Sequence, residues 1–159
     1  MALNVTFYQS ANWNTSSPPD TNTVGGAIAG TTVGATLSDV FPEGVSDYIG
    51  QDARLRFQKI FITAGTAITN PKVFLNNVKH PGQIQIAIGG ATDSHANPTG
   101  YPVSSGNFIE PIGIVNATSM GIPDLGATES FSLWIKQSIP ANLPSEVGAS
   151  TTIGIIGEV

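Results

Sequence analysis

From residue 54 to residue 159 the apolar residues come in short runs of period two, and turn residues separate the runs. Side chains alternate across a strand but recur every 3.6 residues on a helix, so this pattern confines the chain to β-structure. The cleanest case is Gln83-Ile84-Gln85-Ile86-Ala87-Ile88, in which the isoleucines share one face and the glutamines the other. Phe131, Leu133 and Ile135 alternate in the same way against Ser132, Trp134 and Lys136. Residues 72–78, 108–115 and 151–156 read as further strands, and Pro111 makes the second of these edge-like. No long amphipathic helix is legible. Short strands with turns between them predict an all-β fold, an antiparallel β-sandwich of Ig-like or jelly-roll-like type.

One strand breaks its own rule. In Arg54-Leu55-Arg56-Phe57-Gln58-Lys59-Ile60-Phe61-Ile62-Thr63 the first half puts Leu55 and Phe57 inward and Arg54 and Arg56 outward. Lys59 then falls on the apolar face while Ile60 and Ile62 fall opposite. Either a bulge shifts the register near Lys59, or the second half is covered on both faces.

The N-terminal third has a different texture. Residues 11–50 are rich in Gly, Thr, Ser, Pro and Asn and contain almost no core-forming runs. The expected organisation is therefore an extended N-terminal arm over residues 1–50 and a β-sandwich domain over residues 51–159. Within the arm, Leu3, Val5 and Phe7 share one face of a short β-prone run that suits an edge or exchanged strand. Residues 23–37, interrupted by Gly25-Gly26, Gly30 and Gly34, read as extended chain with one weak strand around residues 27–29.

Composition narrows the function classes. At 159 residues and 40% hydrophobic, the chain can bury a core. Charged residues are only 11%, against roughly 25% in an ordinary globular domain. A surface so poor in charge suits burial in an assembly. A net charge of −5 argues against nonspecific nucleic-acid binding. With no cysteine, disulfides and thiolate metal sites are excluded. No stretch approaches a membrane span, and the first residues show no charged-then-apolar leader pattern.

Residues for chemistry do not assemble into a motif. There is no Gly-x-Ser-x-Gly elbow, and there are only two histidines, His80 and His95. Asp93-Ser94-His95 has metal-ligand character but supplies only two ligands, too few for a site. Gly25-Gly26 and Gly89-Gly90 do not lead into a helix with a lysine, so they are not phosphate loops. The expectation is a non-enzymatic protein with no catalytic residue, cofactor or metal. The residues singled out for partner binding are Leu3, Val5 and Phe7 of the first strand, with Trp13 and Trp134, because tryptophan anchors interfaces. For Trp134, burial under a loop or under the arm competes with that role.

The order of segments carries a resemblance. A strand ending in Phe7-Tyr8 is followed by Asn12-Trp13, then Val24-Gly25-Gly26-Ala27-Ile28, then Leu37-Ser38-Asp39-Val40-Phe41. Next come Phe57-Gln58-Lys59-Ile60-Phe61-Ile62, the Thr69-Asn70-Pro71-Lys72-Val73-Phe74-Leu75 strand and Gln83-Ile84-Gln85-Ile86-Ala87-Ile88-Gly89. Phe131-Ser132-Leu133-Trp134-Ile135-Lys136 closes the series. This order resembles the small β-sandwich capsid decoration, or cement, proteins of tailed bacteriophages. Where such proteins commonly carry Trp-Ile-Arg, this chain has Trp134-Ile135-Lys136. The resemblance implies a homotrimer on the outer capsid surface of the virion, bound to the major capsid protein, with an arm reaching over a neighbouring subunit or the shell. Two other readings stay open: a phage tail or baseplate structural module, and a carbohydrate-binding β-sandwich using Tyr101, Phe108 and Trp134.

Overall fold

The computed structural model describes residues 3–13, 23–41, 54–78, 81–96, 108–113, 119–139 and 151–159. Within them the chain runs β1 (Val5–Asn12), β2 (Thr23–Thr32), α1 (Leu37–Val40), β3 (Arg54–Ala64), β4 (Thr69–Asn76), β5 (Ile84–Ile88), β6 (Ser94–Ala96), β7 (Met120–Gly121), β8 (Ser130–Ile139) and β9 (Thr152–Glu158). Two antiparallel sheets form. The larger has six strands in the order β5-β8-β3-β1-β2-β6, and the smaller has three in the order β7-β4-β9. They pack face to face, so the fold is the all-β sandwich that the alternation demands.

The interior follows the period-two pattern. Ile60 and Ile62 of β3, Leu133 and Ile135 of β8, and Ile84 and Ile86 of β5 meet Val73 and Leu75 of β4 and Ile153 of β9, all buried. Burying one such aliphatic side chain contributes roughly 1.5–3 kcal/mol, an upper figure because the unfolded chain is already partly collapsed. Residues 108–113 close one side of the sandwich. Ile109 exchanges hydrogen bonds with Ile86 of the large sheet (2.8 and 2.9 Å). Pro111 O accepts from Leu75 N (2.7 Å) and Gly113 N donates to Leu75 O (2.9 Å), which ties the same strip to the small sheet. The strip is edge-like, as Pro111 predicts, since a residue without an N–H cannot serve an inner ladder.

Of the segment expected to be an arm, β1 and β2 are strands of the large sheet. β1 lies between β3 and β2, with Val5 opposite Ala64 and Gln9 opposite Ile60. It is an inner strand, and β2, far longer than the weak strand expected, pairs with it on the other side. Apolar alternation in β1 specified a buried face; which strand would cover its edges depended on pairing across some fifty residues of sequence, which alternation does not encode. Between β2 and β3, Thr36 caps the single turn α1 by accepting a hydrogen bond from Asp39 N (3.3 Å). Its Leu37 and Val40, with Phe41, plug the sandwich core. Residues 42–53 lie outside the described residues.

The irregular strand resolves as double coverage. β3 pairs with β8 from Arg54 opposite Ile139 to Thr63 opposite Ser130 with no register shift, so there is no bulge at Lys59. The inward and outward assignment of its first half is reversed. Leu55 and Phe57 face away from the small sheet, toward a second apolar cluster with Val24, Ala87 and Trp134. Arg56 is on the face shared with Ile60 and Ile62 and is fully buried. Its guanidinium stacks 4.8 Å from the Phe41 ring centroid and donates to Gln137 Oε1 (3.2 Å). Arginine in place of an aliphatic residue is tolerated there because a planar cation can be both stacked and hydrogen-bonded.

Candidate functional site

The outer face of the large sheet holds the Lys59–Asp93 ion pair, and the chain crosses itself to cover it. β5 and β6 are the two opposite edges of that sheet, yet only residues 89–93 separate them. Five strand spacings at about 4.8 Å make about 24 Å across a flat sheet. Six Cα steps from Ile88 to Ser94 reach at most about 21 Å. The connection is therefore a nearly extended strap, and the sheet has to curl toward it. The two register shifts between β1 and β2 supply the bending that a regular ladder would resist.

The strap passes over β8 and β3 and docks on β2. Gly89 N donates to Ser132 O (2.9 Å), and Ser132 Oγ donates to Gly90 O (3.0 Å). Under it lies Trp134, fully buried, whose indole Nε1 donates to Asp93 Oδ2 (2.7 Å). Lys59, with no solvent-exposed surface, donates to Gly26 O (2.8 Å), Asp93 O (3.2 Å) and Asp93 Oδ1. Its ammonium also lies 5.0 Å from the Phe61 ring centroid and 5.7 Å from that of Trp134. Three donors thus meet three acceptors and two aromatic faces, the arrangement a buried ammonium requires.

The Gly-Gly pair of β2 is explained by the same cluster. Gly25 and Gly26 have φ of 96° and 85°. A Cβ on Gly25 would lie 2.6 Å from Trp134 Cη2 and 2.7 Å from Asp93 O. Only glycine lets β2 bend this close over the indole while Gly26 N reaches Asp93 O (2.7 Å). These glycines hold no phosphate; they make room for the strap.

Burial pushes the Lys59 ammonium below the usual lysine range, with the Asp93 carboxylate acting against that shift. For Asp93, burial alone would raise the carboxyl. Hydrogen bonds from Lys59, Trp134 and the Gly90 backbone, together with the Lys59 charge, outweigh it and hold the group below the usual carboxylate range. The Lys59 ammonium has an acceptor for each of its three protons, and both carboxylate oxygens of Asp93 are engaged.

The residues singled out from sequence sit as follows. Leu3, Val5, Phe7 and Trp13 are half-buried against the chain's own main core. Trp134 is internal and offers no surface to a partner, because the strap and β2 cover it. Of Asp93-Ser94-His95, the Asp93 carboxylate is committed to Lys59 and Trp134; the His95 side chain lies outside the described residues, as do His80 and Tyr101. Among the described residues no group of three His, Cys, Asp or Glu could hold a metal ion, and no helix is long and apolar enough to cross a membrane. Phe108 packs on Phe57, ring centroids 5.8 Å apart. Beside the strap is an open depression of about 380 Å³ lined by Ile28, Phe61, Ala91, Thr92, Ser130 and Ser132 among others. Asp93 was not legible as a partner of Lys59; the only signal was Lys59 itself, a cation out of place on an apolar face. No family model, no curated protein and no solved structure matches this chain.

Proposed function

We propose that this protein is a non-enzymatic virion structural protein, a decoration or cement protein that binds the major capsid protein on the outer surface of a mature phage head as a homotrimer. One observation carries the reading furthest. Three of the six basic residues, Arg56, Lys59 and Lys136, are buried inside the protomer. A chain already poor in charge thus places half its cations in its own interior. β2 is itself uncharged: between Asp20 and Asp39 there is no charged residue, and Ile28 is 43% exposed. Such a surface loses little hydration energy when covered, which favours packing into a lattice over life as a dispersed monomer. Stabilisation would then act by mass action, since a ligand of the expanded shell alone raises the free energy needed to disrupt it. Several contacts per trimer would add through avidity.

The arm-clamp form of this idea needs revision. Because β1 is an inner strand of the sandwich, removing it would break the domain rather than merely shorten a tether. The carbohydrate-binding alternative loses Trp134 to the interior and Phe108 to its stack on Phe57. The test is light scattering on a sizing column, followed by co-sedimentation with expanded and unexpanded phage heads stripped of their own decoration protein. A trimer that binds expanded heads saturably and ignores unexpanded ones supports the reading. A monomer that binds neither overturns it.

A further inference from the structure

We infer that residues 89–96 form a strap that opens as one unit, taking the edge strand β6 with it and with Asp93 as its latch, while the remaining strands of the two sheets stay folded. The strap, Gly89-Gly90-Ala91-Thr92-Asp93-Ser94-His95-Ala96, contributes no large aliphatic or benzenoid side chain, and Ala91 and Thr92 are exposed. Its closure therefore gains little hydrophobic energy of its own. Hydrogen bonds hold it instead, and they converge on Asp93: the carboxylate takes Lys59 and Trp134, and the carbonyl takes Gly26 N and Lys59 again. The three-residue β6 adds pairing only with residues 23–25 of β2. The β3–β8 ladder beneath is continuous along its length and buried on both faces. Segments with few buried apolar contacts and concentrated anchors open before continuous ladders do.

Opening also relieves the costliest group underneath. With the strap closed, Lys59 depends on Asp93 for its only counter-charge among the described residues; with the strap open, water can reach the ammonium. Gly89 and Gly90, at the junction with β5, are where the backbone can turn without a side-chain penalty. What opening uncovers is Trp134 and the apolar cluster it shares with Val24, Phe57 and Ala87. The inference stands on these contacts alone and is independent of the capsid role.

Native-state hydrogen exchange in sub-denaturing urea on the full chain tests it. Gly26 and Gly89 amides report the strap, since they donate to Asp93 O and Ser132 O. They are expected to share one opening free energy, with a smaller urea slope and at least ~10-fold faster exchange than the β3–β8 amides. Exchange of both sets with the same free energy and the global slope would overturn the strap. A second readout is acrylamide quenching of Trp134 in a Trp13→Phe background. Asp93→Ala should raise the quenching constant about 3-fold or more while β3–β8 amides remain protected, because the charge-assisted bonds it removes act only in the closed state. An unchanged quenching constant in folded Asp93→Ala, or loss of protection throughout the sheet together with the strap, would refute the latch.

Discussion

Gly25→Ala isolates the reason for the Gly-Gly pair. A non-glycine residue at φ 96° lies beyond the left-handed region that L side chains tolerate, at a cost of about 1–3 kcal/mol. The added Cβ would sit 2.6 Å from Trp134 Cη2 and 2.7 Å from Asp93 O. Neither neighbour can retreat while the strap stays closed: the indole is held by its bond to Asp93, and the carbonyl is backbone already bound to Gly26 N and Lys59. Overpacking of this kind costs about 1–3 kcal/mol more. We therefore expect a loss of about 3 kcal/mol, read as a fall of roughly 1.5 M in the urea midpoint for a slope near 2 kcal/mol/M. The control is Gly30→Ala in the same strand, where nothing lies within 4 Å of the added Cβ and φ is not positive; its stability should change by no more than about 0.5 kcal/mol in either direction, about 0.25 M in the midpoint. Equal losses in the two variants, or a Gly25→Ala loss below about 1 kcal/mol, would mean that β2 does not depend on close approach to Trp134.

The ion pair gives a second expectation. Asp93→Ala should destabilise the fold by about 3–5 kcal/mol, and the double variant Lys59→Met with Asp93→Leu should recover most of that, because breaking a buried pair costs more than replacing it; a double-mutant cycle in urea measures both. The pH dependence follows from the lowered Asp93 carboxyl. A carboxyl whose folded value lies below its unfolded value stabilises fully above the unfolded value, near 3.8, and loses that contribution as pH falls through the folded one. Melting temperatures from pH 6 down to pH 2 should drop in the acid range, and Asp93→Asn should flatten that part of the profile. Thr128 carries φ 68° in the turn before β8, exposed to solvent. Thr128→Gly should stabilise by about 0.5–1 kcal/mol by removing strain at a β-branched residue, and an unaltered melting temperature would count against strain at that turn.

Local alternation settled the existence of β3, β5 and β8, because a half-buried strand writes its period directly into its own residues. It also marked Lys59 as anomalous and Pro111 as a sheet-edge residue. It could not say that β1 is an inner strand, since edge or centre is decided by partners far along the chain. Nor could it orient Arg56 and Phe57: a sheet covered on both faces has two interiors, and alternation distinguishes faces without saying which meets the other sheet. The site depended still more on tertiary structure. Asp93 reaches Lys59 only because β5 and β6 end up on opposite edges of one sheet and too few residues join them to go round. The sequence by itself determined a β-sandwich poor in charge, through period and composition; the crossing of the strap, and hence the burial of Lys59 and Trp134, came from chain length measured against sheet width.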